Sequence, residues 1–281
     1  MSLHSTEAET LPFVEAELNY LAPTRERPRT YTYDPPAGVP RTTAMSEPHV
    51  MKIADARPIL PEISLDEEGF GLMLHASAVR DFYDDGEVKR VYYREAEQLL
   101  KQLTGADRIH IFDHTVRRRV PGGEDRRGGV PRQPVPRVHV DHTETSGPQR
   151  VRDLLPDDAS ELLAGRVQII NLWRPIRGPL RDAPLAVCDA QSVRPEDLVP
   201  SDLVYPNRVG ETYSVTFDPE HRWYYVPEMR TDEVLLLKCY DSKTDGRARF
   251  APHTAFIDPT TPANAPPRES IELRALVFHA A

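Results

Sequence analysis

Residues 211–257 read ETYSVTFDPEHRWYYVPEMRTDEVLLLKCYDSKTDGRARFAPHTAFI. Short runs rich in Val, Tyr, Phe, Thr and Leu (Glu211–Phe217, Arg222–Val226, Glu233–Tyr240, Ala248–Phe250 and Thr254–Ile257) are separated by Asp, Pro and Gly punctuation. Strands at a spacing of roughly 8–12 residues with turn residues between them are the signature of a sandwich or barrel. The pattern extends outward on both sides. Ser270–Phe278 closes the series, and Val167–Trp173 and Leu185–Asp189 precede it. Further upstream, Phe70–Leu74, Arg108–His114 and Arg137–Asp141 read as strands, while Tyr92, Ala96, Leu99, Leu100 and Leu103 fall at helical spacing before a capping Gly105. Gly147–Leu155 and Asp158–Leu163 are expected as short helices. No glycine fingerprint accompanies a strand–helix alternation, which disfavours a dinucleotide fold. The expectation is a mainly β chain: a double-stranded β-helix, the jelly roll of the cupin-like barrels, with flanking helices.

Composition bounds the function. The 281 residues carry 35 basic and 44 acidic side chains, a net charge of −9. That disfavours a general basic surface for nucleic acid. No apolar run reaches the roughly 18–20 residues of a membrane span. Cys188 and Cys239 alone exclude a disulfide framework, and Met1–Thr10 lacks the basic flank and apolar stretch of a secretory leader, so a cytoplasmic setting is expected. Pro23, Pro28, Pro35, Pro36 and Pro40 punctuate residues 1–46, which we read as an extended N-terminal arm, with Tyr31-Thr32-Tyr33 as its one extended strand, ahead of a single domain over 47–281. The loop Arg117–Pro136, holding Arg117, Arg118, Arg119, Arg126, Arg127 and Arg132, is read as a solvated basic loop with one arginine, Arg119, reaching inward as part of a lid.

The chemistry rests on His139-Val140-Asp141. Residues i and i+2 of a strand point to the same face, so one imidazole and one carboxylate aim at a single point. A surface ion pair is the competing reading of H-x-D alone. His253, on a distant strand, completes two histidines and a carboxylate, the face that leaves three positions open on a non-haem Fe(II) centre. Arg268 then opens the last strand. 2-Oxoglutarate chelates iron through one end, and its far carboxylate needs a planar, permanently charged partner. Ser270 shares that strand face. Arg274 has the same parity and competes for the role; we place Arg268 ahead because the start of the strand lies nearer the metal end. Asn171 and Trp173 share a face of their strand, Asn171 as a hydrogen-bond donor to the cosubstrate and Trp173 as pocket wall or core. Tyr240 is set down as a pocket position against a competing core role. Arg174, of opposite parity, is expected to pair with an acid outside the barrel, and His142 points away from the triad.

Six segments, FDHT (112–115), VHVD (138–141), INLWRPI (170–176), KCYDS (238–242), PHTAF (252–256) and RESIELR (268–274), together resemble the fungal hydroxylase/desaturase family of specialised metabolism. That family includes gibberellin desaturase-like proteins and relatives of a cephalosporin methoxylation component. The resemblance runs from about Tyr31 to Phe278. It implies a double-stranded β-helix, Fe(II) and 2-oxoglutarate as cofactors with O₂ as cosubstrate, and C–H abstraction on a small metabolite leading to hydroxylation, desaturation or oxidative ring formation. Two alternatives stay open: a metal-dependent hydrolase or isomerase on a cupin-like barrel, using the same ligands, and a non-catalytic partner subunit of a biosynthetic enzyme. Oligomeric state is open.

Overall fold

The computed structural model describes residues 11–123 and 131–280. In chain order its strands are β1 (Phe13–Leu21), β2 (Arg29–Tyr31), β3 (Ser46–Asp55), β4 (Phe70–Leu74), β5 (Arg108–Arg118), β6 (His139–Val140), β7 (Val167–Pro175), β8 (Leu185–Cys188), β9 (Leu198–Val204), β10 (Val209–Val215), β11 (Trp223–Tyr225), β12 (Glu233–Asp241), β13 (His253–Ala255) and β14 (Glu269–Phe278). Helix α1 spans 85–104 and includes a π-helical stretch, Val88–Tyr92; α2 is Ser146–Leu154 and α3 Ala159–Leu162. Nine strands form one sheet in the order β1-β3-β11-β8-β13-β6-β10-β9-β2, and five form the other, β4-β12-β7-β14-β5. The fold is a jelly roll with its helices outside.

Strand β14 explains how the sheets are used. Ile271, Leu273, Ala275 and Val277 pack under Val88, Tyr92, Ala96, Leu99 and Leu100 of α1. Leu276 and Phe278, of the other parity, join the core between the sheets, where Ile169, Trp173, Leu235 and Leu237 of the small sheet meet Val140, Val187 and Tyr224 of the large one. A sheet covered on both faces has no polar side to show, so β7 and β12 are buried at every position. The inward row of β14 changes character along its length: Ser270, Glu272 and Arg274 are polar, Leu276 and Phe278 apolar. The polar half marks the end of the barrel where the site lies.

Residues 13–21 correct the reading of the first 46 residues. β1 pairs with β3 along its whole length, and Val14, Ala16, Leu18 and Tyr20 are buried. β2 adds a parallel edge beside β9. The stretch read as an arm thus supplies two strands of the large sheet. The segment Ala248–Phe250, expected as a strand, is irregular; its ends are held by Ala248 N–H to Asp66 O and Ala251 N–H to Lys238 O, both 2.8 Å.

Arg174 behaves differently from expectation outside the barrel. Among the described residues Arg174 meets no carboxylate at ion-pairing distance. It is sealed beneath α1, donating to the His75 carbonyl and lying 5.0 Å from the Tyr92 ring centre. The acids of this face are engaged elsewhere: Lys238, fully buried on β12, donates to Asp66 (2.5 Å) and Asp241 (2.9 Å), and Arg166 bridges the same two carboxylates. Removing one partner of a buried ion pair strands the other. Lys238→Met is therefore expected to lower unfolding stability by about 3 kcal/mol in urea melts, the low end of such losses, because Arg166 remains.

Candidate metal centre

Strand β6 is only two residues long, and β13 only three, yet they lie side by side and place His139 directly opposite His253. Asp141 follows β6 on the same side as His139. One ligand atom from each of His139, Asp141 and His253 lies within 4.8 Å of the other two. The ring centres of the histidines are 4.5 Å apart, and His139 Nε2 is 3.5 Å from Asp141 Oδ1.

The backbone sets the tautomers. His139 Nδ1 sits 2.8 Å from the Arg137 carbonyl, and His253 Nδ1 sits 3.1 Å from the Ala251 carbonyl. A carbonyl only accepts, so each Nδ1 carries the proton and each Nε2 presents a lone pair. His253 Nε2 is buried and has no hydrogen-bond partner among the described residues. A buried acceptor without a partner costs about 1–3 kcal/mol. A cation at the meeting point of the three groups supplies the missing partner, and two imidazoles with one carboxylate suit a divalent transition metal.

The electrostatics keep these groups in their ligating forms. Burial alone would raise the Asp141 carboxyl; the Arg274 guanidinium and the His139 contact overcome it and hold Asp141 well below the usual carboxylate range. Burial, then the neighbouring His139, push His253 down toward the neutral imidazole. Asp141 Oδ2 accepts from Asn171 Nδ2 at 2.7 Å and Arg274 Nε at 3.0 Å. Arg274 also donates to Glu272 (2.5 Å), Asp113 (2.9 Å) and Thr115 (3.2 Å), and Asn171 donates to Glu272 (3.1 Å). Asn171 and Arg274 thus support the candidate ligand Asp141. Losing such a supporting partner costs 10–100-fold in metal affinity in general. Arg274→Gln is expected to weaken Fe(II) binding by about that factor, read by titration under argon.

Arg268 has the complementary defect. It is 2% exposed, its Nε donates to Ser270 Oγ (3.0 Å), one terminal nitrogen donates to the Ala183 carbonyl (2.9 Å), and its guanidinium lies 4.9 Å from the centre of a Trp173 ring. Among the described residues no carboxylate ion-pairs with it. Burial, and then the nearby Arg117, push it down to about 9. The two arginines weighed for one role are therefore distinct: Arg274 is saturated with carboxylates, and Arg268 lacks one.

Trp173, Tyr240 and Arg119, expected at the pocket, are not among the residues lining the cavity above His139 and Asp141. Trp173 packs in the core under Arg268. Tyr240 belongs to the core beside Phe250, and its ring closes over Gly147, where a Cβ would come within 2.6 Å. Arg119 is drawn off by Asp182, at 2.6 Å. In the basic loop, Arg117 and Arg118 extend β5 and Arg118 N–H bonds the Arg132 carbonyl; Arg126 and Arg127 lie outside the described residues. His142 is buried beside Phe112 and Ser146. Sequence reading missed Glu272 and Arg117. Glu272 has the parity of Arg268, Ser270 and Arg274, so the signal was present; Arg117 lies opposite Ser270 on β5, a register no local pattern reveals.

Above His139 and Asp141 opens a cavity of about 650 Å³, within the range of small-molecule sites. Phe112, Arg137, Arg150, Tyr205 and Arg208 are among its walls. A family model described as an oxidoreductase/YMDC permease-like domain matches residues 18–278. The chain is 37% identical to the hydroxylase/desaturase efuI of Hormonema carpetanum over 97% of each protein. It is 34% identical to the Fe(II)/2-oxoglutarate-dependent dioxygenase nvfI of Aspergillus novofumigatus, over 88% of this chain and 90% of that one. A solved structure of the iron and alpha-ketoglutarate-dependent endoperoxidase NvfI matches with a TM-score of 0.85 at 31% identity, covering 96% of this chain and 99% of that one.

Proposed function

The chain belongs to the fungal hydroxylase/desaturases, the Fe(II)- and 2-oxoglutarate-dependent dioxygenases of specialised metabolism, and from that premise we propose that His139, Asp141 and His253 hold the iron while Arg268 and Ser270 hold the far carboxylate of 2-oxoglutarate. The observation that carries the assignment is the buried, unpartnered Nε2 of His253, aligned by the Ala251 carbonyl and grouped with His139 and Asp141.

When bound, Fe(II) and 2-oxoglutarate supply with O₂ the oxidising power that removes hydrogen from an unactivated C–H bond. The side chains do the rest. His139, Asp141 and His253 would hold the metal from one side and leave it room to take the cosubstrates. Asn171 and Arg274 fix Asp141 and keep it ionised. Arg268 meets a carboxylate as a two-pronged donor, and Arg117 beside it adds positive charge. A hydrolase using the same ligands has no need of that buried, anion-free arginine. The cavity walls position the carbon that reacts and limit water around it. The product class is hydroxylation, desaturation or oxidative ring formation on a small metabolite. No helix of the described residues is long and apolar enough to cross a membrane, and the two free, buried cysteines suit a reducing cytoplasm.

The test is an anaerobic optical titration. Apo protein given Fe(II) and then 2-oxoglutarate is expected to develop a weak visible charge-transfer band that requires both additions and is absent in His139→Ala. Folded, iron-loaded protein without the band would sink the reading.

A further inference from the structure

Seven arginines are among the residues lining the cavity above His139 and Asp141. Three of them ion-pair within the protein: Arg274 as described, Arg27 with Asp202 and Glu211, and Arg117 with Glu272 at 4.0 Å. Three others do not. Arg137, Arg150 and Arg208 meet no carboxylate at ion-pairing distance among the described residues. Arg150 lies over the ring of Phe112 (5.4 Å) and Arg208 over that of Tyr205 (3.9 Å). Among the described residues the Arg137 guanidinium makes one long side-chain contact, to Thr30 Oγ1 at 3.4 Å, and its Nε is buried without a partner.

Acids are not scarce here. Asp113, Asp153, Asp202 and Glu211 line the same cavity, but each faces another group: Asp113 takes Arg274, Asp153 takes Gln149, and Asp202 and Glu211 take Arg27. In a chain of net charge −9, guanidiniums left without acids inside one cavity are a selective arrangement. Burial weighs most against the Arg150 charge, and Arg208 then repels it; Asp113 and Asp153, not ion-paired with it, offset only part of this. An anion between Arg150 and Arg208 relieves both. The aromatic faces beneath the two guanidiniums hold their planes in place and offer flat apolar surface next to the charge.

We propose that the cavity selects an anionic substrate, a carboxylic acid whose carboxylate is bound by Arg150 and Arg208, with Arg137 on the metal side, and whose apolar body lies against Phe112 and Tyr205. The inference rests on the oxygenase reading, because it takes the cavity as the substrate site above the iron.

The probes are benzoate and benzamide, which share an aromatic body and differ in charge. They are titrated by saturation-transfer NMR into protein loaded with Zn(II) and saturating 2-oxoglutarate, so that the Arg268 site is filled. Benzoate is expected to bind at least about tenfold more tightly than benzamide, since hydrogen bonds between ionised partners are about twice as strong as neutral ones. In the Arg150→Gln/Arg208→Gln variant benzoate is expected to fall to the level of benzamide. The Fe(II)–2-oxoglutarate band of that variant, measured separately, is expected to stay unchanged, showing an intact fold and cosubstrate site. Equal binding of the two probes, no benzoate binding at tens of millimolar, or a variant that still prefers benzoate would each overturn the proposal. Failure of the wild-type protein to form the 2-oxoglutarate band would instead overturn the reading of the metal site, and the benzoate comparison on the wild type would still report on the cavity.

Discussion

His253→Leu is expected to leave the metal-free protein about as stable as the wild type while abolishing its response to iron. Two opposing terms meet at this residue. The substitution removes a buried nitrogen that has no partner, whose desolvation costs about 1–3 kcal/mol. It also removes the hydrogen bond from Nδ1 to the Ala251 carbonyl, worth about 1 kcal/mol. The expected net change in unfolding free energy is within about 1 kcal/mol. Ligand linkage behaves otherwise. Wild-type protein with iron at a hundredfold excess over its dissociation constant gains about 2.7 kcal/mol. The variant is expected to gain none, with metal affinity reduced beyond the 10–100-fold that the loss of a supporting group causes. Paired thermal melts with and without Fe(II), under argon, read both quantities. A histidine buried only for packing gives the reverse pattern: a destabilised apo protein with its iron response intact. That pattern would remove His253 from the centre.

The parts of this site that the sequence disclosed are those where chemistry follows a local period. His139 and Asp141 share a face because strands repeat every two residues, and the same parity lines up Arg268, Ser270, Glu272 and Arg274 along β14. Strands β4 and β14 and helix α1 were legible because apolar spacing and a capping glycine are local features. β1 carries as clear an alternation in Val14, Ala16, Leu18 and Tyr20, but the prolines that follow drew the reading toward an arm. β9 was missed because Pro200 and Asp202 break its apolar run; its neighbours β10 and β2 supply the pairing that the residues themselves do not advertise. What the sequence withheld was partnership. Nothing within the Arg117–Arg119 run says that Arg119 is claimed by Asp182 while Arg117 stays inside the barrel. Nor does parity distinguish Arg268 from Arg274, since both point inward. Only the location of the carboxylates does that. Asp113, Asp141 and Glu272 arrive at Arg274 from three strands or their ends, and none arrives at Arg268.

That difference gives the second large effect. Arg268→Met is expected to raise the 2-oxoglutarate requirement between about 30-fold and several thousand-fold, with Fe(II) affinity unchanged. Truncating one member of a buried, hydrogen-bonded charge pair costs about 2–5 kcal/mol, and each 1.4 kcal/mol is tenfold. The fold should tolerate the change, because in the metal-free protein the guanidinium is a buried charge with no carboxylate at ion-pairing distance among the described residues, pushed down to about 9 by burial and by Arg117. The decisive comparison uses 2-oxopentanoate, which keeps the chelating end of 2-oxoglutarate and lacks the far carboxylate. Wild-type protein is expected to discriminate strongly between the two acids, and Arg268→Met to treat them alike. Arg274→Gln is expected to do the opposite, losing iron while still preferring 2-oxoglutarate at saturating metal. Continued preference for 2-oxoglutarate in Arg268→Met, lost instead in Arg117→Gln, would move the clamp across to β5. Discrimination, rather than rate, is the quantity to measure, because an arginine that merely packs against Trp173 and Ser270 can slow the enzyme when removed but has no means of telling a dicarboxylate from a monocarboxylate.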